Sequence, residues 1–340
     1  MNHVSEKKAL ESLLAVLVFF LLCPSPSMAL DRVRVGLSAL SATSGSLWVA
    51  EEKGIFRKHG IDAELIFIGG GAARVVSSLI AGDIQSATGG GDAVIRASLK
   101  GADVISVASP LIKGLQRVMA RPDLKSPEDL RGKKIGITRF GSASHLVVNL
   151  ALRRWGMRPE EVQILQVGSS PAMLASLDKG GIDAAVLTMP TFFVAEERGY
   201  RVLADLGDMD IYYLQNTLDT TRSYVRKHRD QALRFVKANV EGIAYFKKHK
   251  KESLEVLRKK LRIQSEQERN IKYLESSYQL LASKYYTEVP YPSLRAIETS
   301  LDFLAAEEPK ARGADPKSFI DESMVRELDA SGFIKALYDR

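Results

Sequence analysis

The chain has 340 residues and a formal net charge of +7, with 48 Lys or Arg residues against 41 Asp or Glu residues. Its single cysteine, Cys23, lies near the N-terminus, so the chain beyond it can supply no disulfide, thiolate zinc site, iron–sulfur cluster or cysteine nucleophile. The length suffices for two ordinary domains, and the positive charge mildly favours anionic ligands or surfaces.

The N-terminus has the layout of a secretory signal peptide. Lys7 and Lys8 precede an unbroken apolar run from Leu13 to Cys23, and a proline-containing stretch then ends at Ala29. The run is shorter than the ~20 residues that span a bilayer, so we predict cleavage after Ala29 and a periplasmic or extracellular mature protein. An uncleaved anchor and lipid attachment through Cys23 are the alternatives, although the bulky residues before this cysteine argue against lipidation.

Much of the positive charge lies in basic runs at 226–229, 247–251 and 259–260. These runs fall within amphipathic helical patterns, where basic residues usually form a solvated face. No nucleic-acid-binding motif accompanies them. We therefore predict no nucleic-acid partner.

Two stretches about a hundred residues apart repeat the same order of elements. From Val33 to Ala87 the pattern predicts strand, helix, strand, helix and strand, and the helix after Gly71 has apolar residues at the spacing of one helix face. The same order returns from Lys134 to Val186. The landmarks that correspond are Gly36 with Gly136, Gly60 with Gly156, Gly69 with Gly168, and Ile84 with Ile182.

This nearly constant offset indicates two equivalent β-α-β-α-β units. Alternating strands and helices predict parallel sheets covered by helices, with ligands at the carboxyl ends of the strands. We therefore predict an α/β fold of two lobes around a cleft. Loose matches between strands and helices occur in any α/β protein, and this is the alternative explanation of the repeat.

The sequence also indicates where the two lobes join and how the C-terminal region folds. The stretch from Ser126 to Gly132 has the N-cap, proline, acidic first turn and glycine stop of a short helix. We expect the chain to cross between lobes near 107–115 and 205–220, and to be helical from about Ser223 to support the first lobe. The predicted domains are a signal peptide at 1–29, a first lobe of 30–112 plus 215–340, and a second lobe of 113–214.

Several stretches resemble a known family. They are Glu52 to Phe56, His59 to Ile61, Ile80 to Ile84, Ser126 to Ile137, Gly141-Ser142 and Gly180 to Ala185. They are similar to stretches of the substrate-binding proteins of ABC importers for sulfonates, nitrate and taurine, and to the related binders of thiamine-pyrimidine precursors. The resemblance covers roughly Val33 to Asp205. It implies a type II periplasmic-binding fold with a helical C-terminal extension, which closes on its ligand and docks to a membrane permease.

The function that this resemblance implies is capture of a small anionic or heterocyclic solute for an ABC permease. One alternative is a module that presents its ligand to a membrane sensor without a role in transport. Another is an enzyme similar to thiamine-pyrimidine synthases, whose cysteine-rich site the mature chain cannot supply. We predict a monomer. We expect no catalytic residue or metal site, because the chain has no nucleophile elbow and no metal-spaced set of His or carboxylate residues. We expect no cofactor, and the glycine runs at 69–71 and 89–91 lack nucleotide-binding spacing.

Candidate ligand-binding residues lie in loops that follow strands, where helices present free backbone N–H groups and small or hydroxyl side chains. Arg139 could pair with a carboxylate or sulfonate, or form a structural salt bridge. Asp92 could accept a hydrogen bond from an amine or ring N–H, or cap its helix. Met189 could pack on an apolar part of the ligand. The full set is Thr43, Ser44, Gly70, Gly71, Gly90, Asp92, Arg139, Gly141, Ser142, Ser144, Thr188 and Met189.

Overall fold

The computed structural model describes residues 29–69, 71–140, 142–209, 211–264 and 268–339. Within these ranges, ten strands form two five-stranded sheets. The first sheet contains β1 Asp31–Leu37, β2 Ile61–Phe67, β3 Ser86–Gly89, β4 Val104–Lys113 and β10 Tyr212–Thr221. The second contains β5 Arg117–Ala120, β6 Lys134–Ile137, β7 Gln163–Gln166, β8 Ala184–Leu187 and β9 Arg201–Asp205.

Both sheets have the same topology. Their strand orders are β2-β1-β3-β10-β4 and β7-β6-β8-β5-β9. In each sheet the first three strands are parallel, whereas the fourth, β10 or β5, runs antiparallel to its neighbours. In each sheet the chain enters the fourth strand directly from the other sheet. Residues 114–116 connect β4 to β5, and residues 206–211 connect β9 to β10. This arrangement confirms the predicted α/β fold class.

The helices cover both sheets and extend beyond them. They are α1 Gly45–Glu52, α2 Ile55–Lys58, α3 Ala72–Ala81, α4 Asp92–Leu99, α5 Ala143–Arg154, α6 Ser170–Asp178, α7 Thr191–Glu197, α8 Arg222–Lys227, α9 Arg229–Lys248, α10 Lys250–Lys260, α11 Glu268–Leu280, α12 Leu294–Leu304, α13 Ser323–Ala330 and α14 Phe333–Tyr338. A π-helical turn, Leu281–Tyr285, continues α11. The short turn predicted after Ser126 is the 3₁₀ helix Pro127–Leu130.

The C-terminal helices share a core with the first sheet. Val35 of β1 and Val49 of α1 belong to the same buried cluster as Phe246, Leu257 and Tyr278 of the C-terminal region. The C-terminal region therefore packs against the first sheet. Burial of large apolar side chains on both sides of this contact stabilises it by roughly 1.5–3 kcal/mol for each side chain.

The internal repeat has a physical counterpart in the two central strands. A Cβ atom on Gly36 of β1 would lie 2.6 Å from Cδ1 of Ile84, and a Cβ atom on Gly136 of β6 would lie 2.6 Å from Cδ1 of Ile182. Both distances are too short for a side chain. The paired glycines and isoleucines therefore mark equivalent close contacts between a strand and the segment that leads into the third strand.

In the described ranges, no helix is both long enough and apolar enough to cross a membrane. Residues 1–28 of the predicted signal peptide lie outside the described residues.

Candidate functional site

A cleft of about 710 Å³ lies between the two sheets. Its first wall is built from the loops after β1 and β3, from α3 and α4, and from β10, while its second wall is built from the loops after β6 and β8. Because parallel strands direct their carboxyl ends to one edge of a sheet, these loops converge. The predicted residues that line the cleft together are Thr43, Ser44, Gly71, Gly90, Asp92, Arg139, Ser142, Thr188 and Met189.

Of the three remaining predicted residues, the structure describes only Ser144. Ser144 is buried and does not line the cleft, because its Oγ accepts a hydrogen bond from the N–H of Thr138 at 2.8 Å. Gly70 and Gly141 lie outside the described residues.

The loop after β1 is held in place from two distant parts of the chain. Ala42–Ser44 forms a 3₁₀ turn that leads into α1. The carbonyl oxygen of Thr43 accepts hydrogen bonds from the Tyr286 hydroxyl at 2.9 Å and from Nδ2 of Asn216 at 3.2 Å. The loop backbone is thereby fixed where Thr43 and Ser44 line the cleft.

A half-buried carboxyl group and a buried phenol meet at the first wall. Asp92 is the first residue of α4, and its Oδ1 accepts a hydrogen bond from the Tyr213 hydroxyl at 3.3 Å. Burial raises the pKa of the Asp92 carboxyl, although hydrogen bonds from its own helix start and from Tyr213 oppose this shift. Burial beside Asp92 also raises the pKa of Tyr213 well above its ordinary value. Asp92 thus contacts its helix N-terminus and also lines the cleft.

The second wall presents the start of α5. Ser142 is the N-cap residue, but its side chain makes no capping hydrogen bond to the first-turn N–H groups. The hydroxyl of Ser142 instead donates to the carbonyl oxygen of Arg139 at 2.6 Å and lies 2.9 Å from Oγ of Ser144. Since each hydroxyl carries a single hydrogen, both hydrogens are already used within this loop. In this arrangement neither hydroxyl has a hydrogen left for a ligand, and the first-turn N–H groups of α5 receive no cap from the Ser142 side chain.

Arg139 differs from the other cations of the cleft. Arg96 lies 3.1 Å from Glu307 and 3.3 Å from Glu308, and Lys100 lies 3.1 Å from Glu308. The guanidinium of Arg139 is exposed, and no described residue forms an ion pair or a hydrogen bond with it. The structural salt bridge considered for Arg139 is thus not seen among the described residues. Its charge is available at the uncapped start of α5.

Thr188 and Met189 complete the second wall. The Oγ1 of Thr188 lies 3.0 Å from Oγ of Ser170, which also accepts from the N–H of Thr188 at 3.1 Å. The Met189-Pro190 peptide bond is cis, and the Met189 side chain contacts both the cleft and a neighbouring cavity.

Residues 42–253, more than half of the chain, match the family described as NMT1/THI5 like. The chain belongs to the NMT1/THI5-like family. A binding protein of Brucella abortus strain 2308 is 32% identical over 175 residues, which are 51% of this chain and 53% of that protein. The taurine-binding periplasmic protein of Escherichia coli K12 is 29% identical over 175 residues, which are 50% and 53% of the two chains. The chain thus spans about half the length of these curated relatives.

Solved structures extend the likeness to the whole fold. The periplasmic aliphatic sulphonate-binding protein SsuA from Escherichia coli superposes with a TM-score of 0.69, covering 86% of this chain and 92% of that chain at 19% identity. An identity this low shows the fold alone. The NMT1/THI5-like chain therefore has the periplasmic-binding fold that its sequence resemblance implies.

The sequence did not reveal the residues that β10 contributes to the cleft. Tyr213, Gln215 and Asn216 line the cleft, and Oγ1 of Thr88 hydrogen-bonds to Oδ1 of Asn216 across the sheet. These residues lie on a strand that arrives from the other sheet, so no loop signal marks them. Among the described residues, no group of three or more His, Cys, Asp or Glu side chains could hold a metal ion.

Proposed function

We propose that the chain is an exported solute-binding protein that captures a small anionic or heterocyclic solute and delivers it to an ABC permease. The observation that carries the proposal is the cleft of about 710 Å³, whose polar loops come from both sheets. Ligand pockets typically measure about 300–1,000 Å³ and combine apolar walls with a few placed polar groups. The membership in a family with periplasmic binding proteins among its relatives supports the same role.

The charges of the two walls favour a solute with an anionic end. The start of α5 contributes about 0.3–1 kcal/mol toward an anion, or ~2 when partly buried. Hydrogen bonds from Arg139 to a charged oxygen contribute about 1.5–3 kcal/mol each. Micromolar affinity requires about 8 kcal/mol, so donors on the first wall must add to these contacts. On that wall, Asp92 can accept a hydrogen bond from an amine or a ring N–H group of the same solute.

The location and the lobe boundaries belong to the same proposal. Removal of residues 1–29 would release the protein into the periplasm or the extracellular space. A first lobe of 30–112 plus 215–340 and a second lobe of 113–214 would close on the solute through the two crossing segments. A monomer is sufficient for this function, because both walls of the cleft belong to one chain.

Binding without catalysis is the proposed activity. The enzyme alternative depends on a cysteine-rich site, and the single cysteine of the chain is Cys23. A sensor module would bind ligand in the same way but would not stimulate transport. Reconstitution with the cognate ABC permease distinguishes the two, since solute uptake into vesicles should require the binding protein.

The direct test is a ligand panel on the purified mature protein. Aliphatic sulfonates, carboxylates, nitrate and aminopyrimidines are screened by thermal shift and then titrated by calorimetry. A true ligand should raise the melting temperature in proportion to the logarithm of its concentration and reduce the radius of gyration in solution scattering. Native mass spectrometry of undenatured protein identifies any solute carried from the cell. A verified ligand that binds outside the cleft would overturn the proposal.

A further inference from the structure

A second cavity of about 310 Å³ adjoins the cleft. Leu40, Ser41 and Met189 line both cavities, so the two are neighbours with a shared boundary. The far walls come from the end of α10 and from α11, with the apolar side chains Leu261, Ile263 and Leu274. We call this cavity the side chamber.

The polar atoms of the side chamber already have partners in the protein. The Oγ of Ser41 accepts from the N–H of Thr43 at 3.4 Å. The Tyr273 hydroxyl donates to Glu197, and the Ser277 hydroxyl donates to the carbonyl oxygen of Tyr273 at 2.8 Å. Asn270 is engaged as well. An apolar group can therefore enter the side chamber without leaving these polar side chains unpaired.

The size and position of the side chamber suit part of a larger ligand. A dry apolar cavity of ~150 Å³ is enough to hold benzene, and the side chamber has about twice that volume. Met189 and Leu40 border both cavities, so a tail that leaves the cleft at these two side chains would enter the side chamber. Stacking of Phe193 on Tyr273, with ring centroids 6.3 Å apart, joins α7 to α11 beside the chamber.

We propose that the side chamber binds the apolar tail of the solute whose polar head lies in the cleft. The tail is an unbranched alkyl chain of about six carbons or a single aromatic ring, as the volume allows. This inference rests on the proposed function. It narrows the solute from a small anion to an amphiphilic one.

The test uses two sets of probes on the full mature chain. The first is the series of linear alkanesulfonates from methanesulfonate to octanesulfonate, titrated by calorimetry. Affinity should rise about threefold to fourfold for each methylene up to about six carbons, and then level off. The second probe is n-hexanol, a tail without the anionic head. It should shift the ¹³C-methyl resonance of Met189 saturably, with the resonance assigned by Met189→Leu.

Two variants test whether the alkyl tail lies in the side chamber. Ile263→Trp fills the side chamber and should reduce the ratio of heptanesulfonate to ethanesulfonate affinity from on the order of a hundredfold to near one. It should also abolish the hexanol shift. Leu294→Trp, at an exposed leucine outside both cavities, is the matched control and should leave the ratio unchanged. Should Ile263→Trp fail to fold, Leu274→Ala serves instead, because the enlarged chamber should move the levelling point to longer chains.

The outcomes separate this inference from the proposed function. If ethanesulfonate binds but affinity does not depend on tail length, solute binding in the cleft is supported and the side chamber proposal is overturned. A rise with tail length that persists in Ile263→Trp also overturns it, since the tail then lies elsewhere. If no sulfonate binds but hexanol shifts the Met189 methyl resonance in the wild type and not in Ile263→Trp, apolar binding in the side chamber is supported. The sulfonate part of the proposed function then fails.

Discussion

The hydroxyl of Tyr286 donates a hydrogen bond to the carbonyl oxygen of Thr43 at 2.9 Å, although the two residues are 243 positions apart. The same hydroxyl accepts from the N–H of Ser46 at 3.2 Å. Tyr286 follows the π-helical turn that ends α11, so the C-terminal region holds the loop that forms the first wall of the cleft. Ligand affinity should therefore depend on a side chain that does not itself line the cleft.

Replacing Tyr286 by phenylalanine tests this dependence. Tyr286→Phe leaves the buried N–H of Ser46 without its partner, which should lower the free energy of unfolding by about 1–3 kcal/mol. Loss of the hydrogen bond to Thr43 should also weaken ligand binding about threefold to tenfold. Urea unfolding and calorimetry measure the two effects. Tyr291→Phe, which removes an exposed hydrogen bond to Asp329, is the matched control and should cost far less. Equal behaviour of the two variants would show that Tyr286 does not hold the loop.

The guanidinium of Arg139, which pairs with no other described residue, gives a prediction about ligand charge. Arg139→Ala should weaken binding of an anionic solute about tenfold to a hundredfold, because a hydrogen bond to a charged group contributes about 1.5–3 kcal/mol. The melting temperature of the ligand-free protein should stay the same, since the side chain is exposed. Arg154→Ala removes a similar exposed charge at the other end of α5 and should leave affinity nearly unchanged. A neutral ligand that binds both variants alike would argue against an anion at this wall.

Asp219 gives a prediction about pH. It is buried on β10, and burial raises its pKa from 3.8 to about 7, although hydrogen bonds from Ser106 and Thr217 oppose the shift. The folded protein then binds the proton more tightly than the unfolded chain. The contribution to stability is therefore fully present below about pH 4, falls by up to ~1.4 kcal/mol per pH unit, and is lost above about pH 7.

The variant Asp219→Asn should remove this dependence, because the amide can donate to Thr217 as the protonated carboxyl group does. The difference in unfolding free energy between variant and wild type should shift in favour of the variant as pH rises from 5 to 8. Urea unfolding at each pH measures it. Asp302→Asn, at an exposed position, should follow the wild type throughout. A constant difference between Asp219→Asn and wild type would mean that Asp219 does not titrate in this range.

The glycine–isoleucine contacts of the repeat predict a rescue. Gly136→Ala should destabilise the fold by about 1–3 kcal/mol, because its Cβ would lie 2.6 Å from Cδ1 of Ile182. Adding Ile182→Val removes that atom, and the next contacts of the new Cβ are 3.4 Å or longer, so the double variant should recover most of the loss. A double-mutant cycle measures the coupling.

The equivalent pair in the first sheet should be rescued less well. A Cβ at Gly36 would also lie 2.7 Å from Cγ1 of Val75, which Ile84→Val does not remove. Equal rescue at the two sites would contradict this explanation of the contacts.

Export can be checked directly. N-terminal sequencing of the secreted protein should begin at or near Leu30, because the predicted cleavage follows Ala29. A mature protein that retains the run from Leu13 to Cys23 would contradict the exported form.

Short-range patterns in the sequence were sufficient to predict the two-sheet architecture. Hydrophobic periodicity marked the strands and helices, and the repeat from Gly36 to Ile84 and from Gly136 to Ile182 predicted two similar units. Residues such as Thr43, Arg139 and Thr188 could be placed at the cleft because loops after parallel strands converge at one edge of a sheet. This geometry follows from the order of elements alone.

The directions and partners of side chains were decided only by the tertiary structure. Asn216 enters the cleft on a strand that arrives from the other sheet, and Glu307 and Glu308 neutralise Arg96 from a helix-flanking segment about two hundred residues away. The Ser142 and Ser144 hydroxyls turn toward their own loop. Periodicity reports which face of an element is buried, whereas a hydrogen bond or an ion pair depends on which distant element packs against that face.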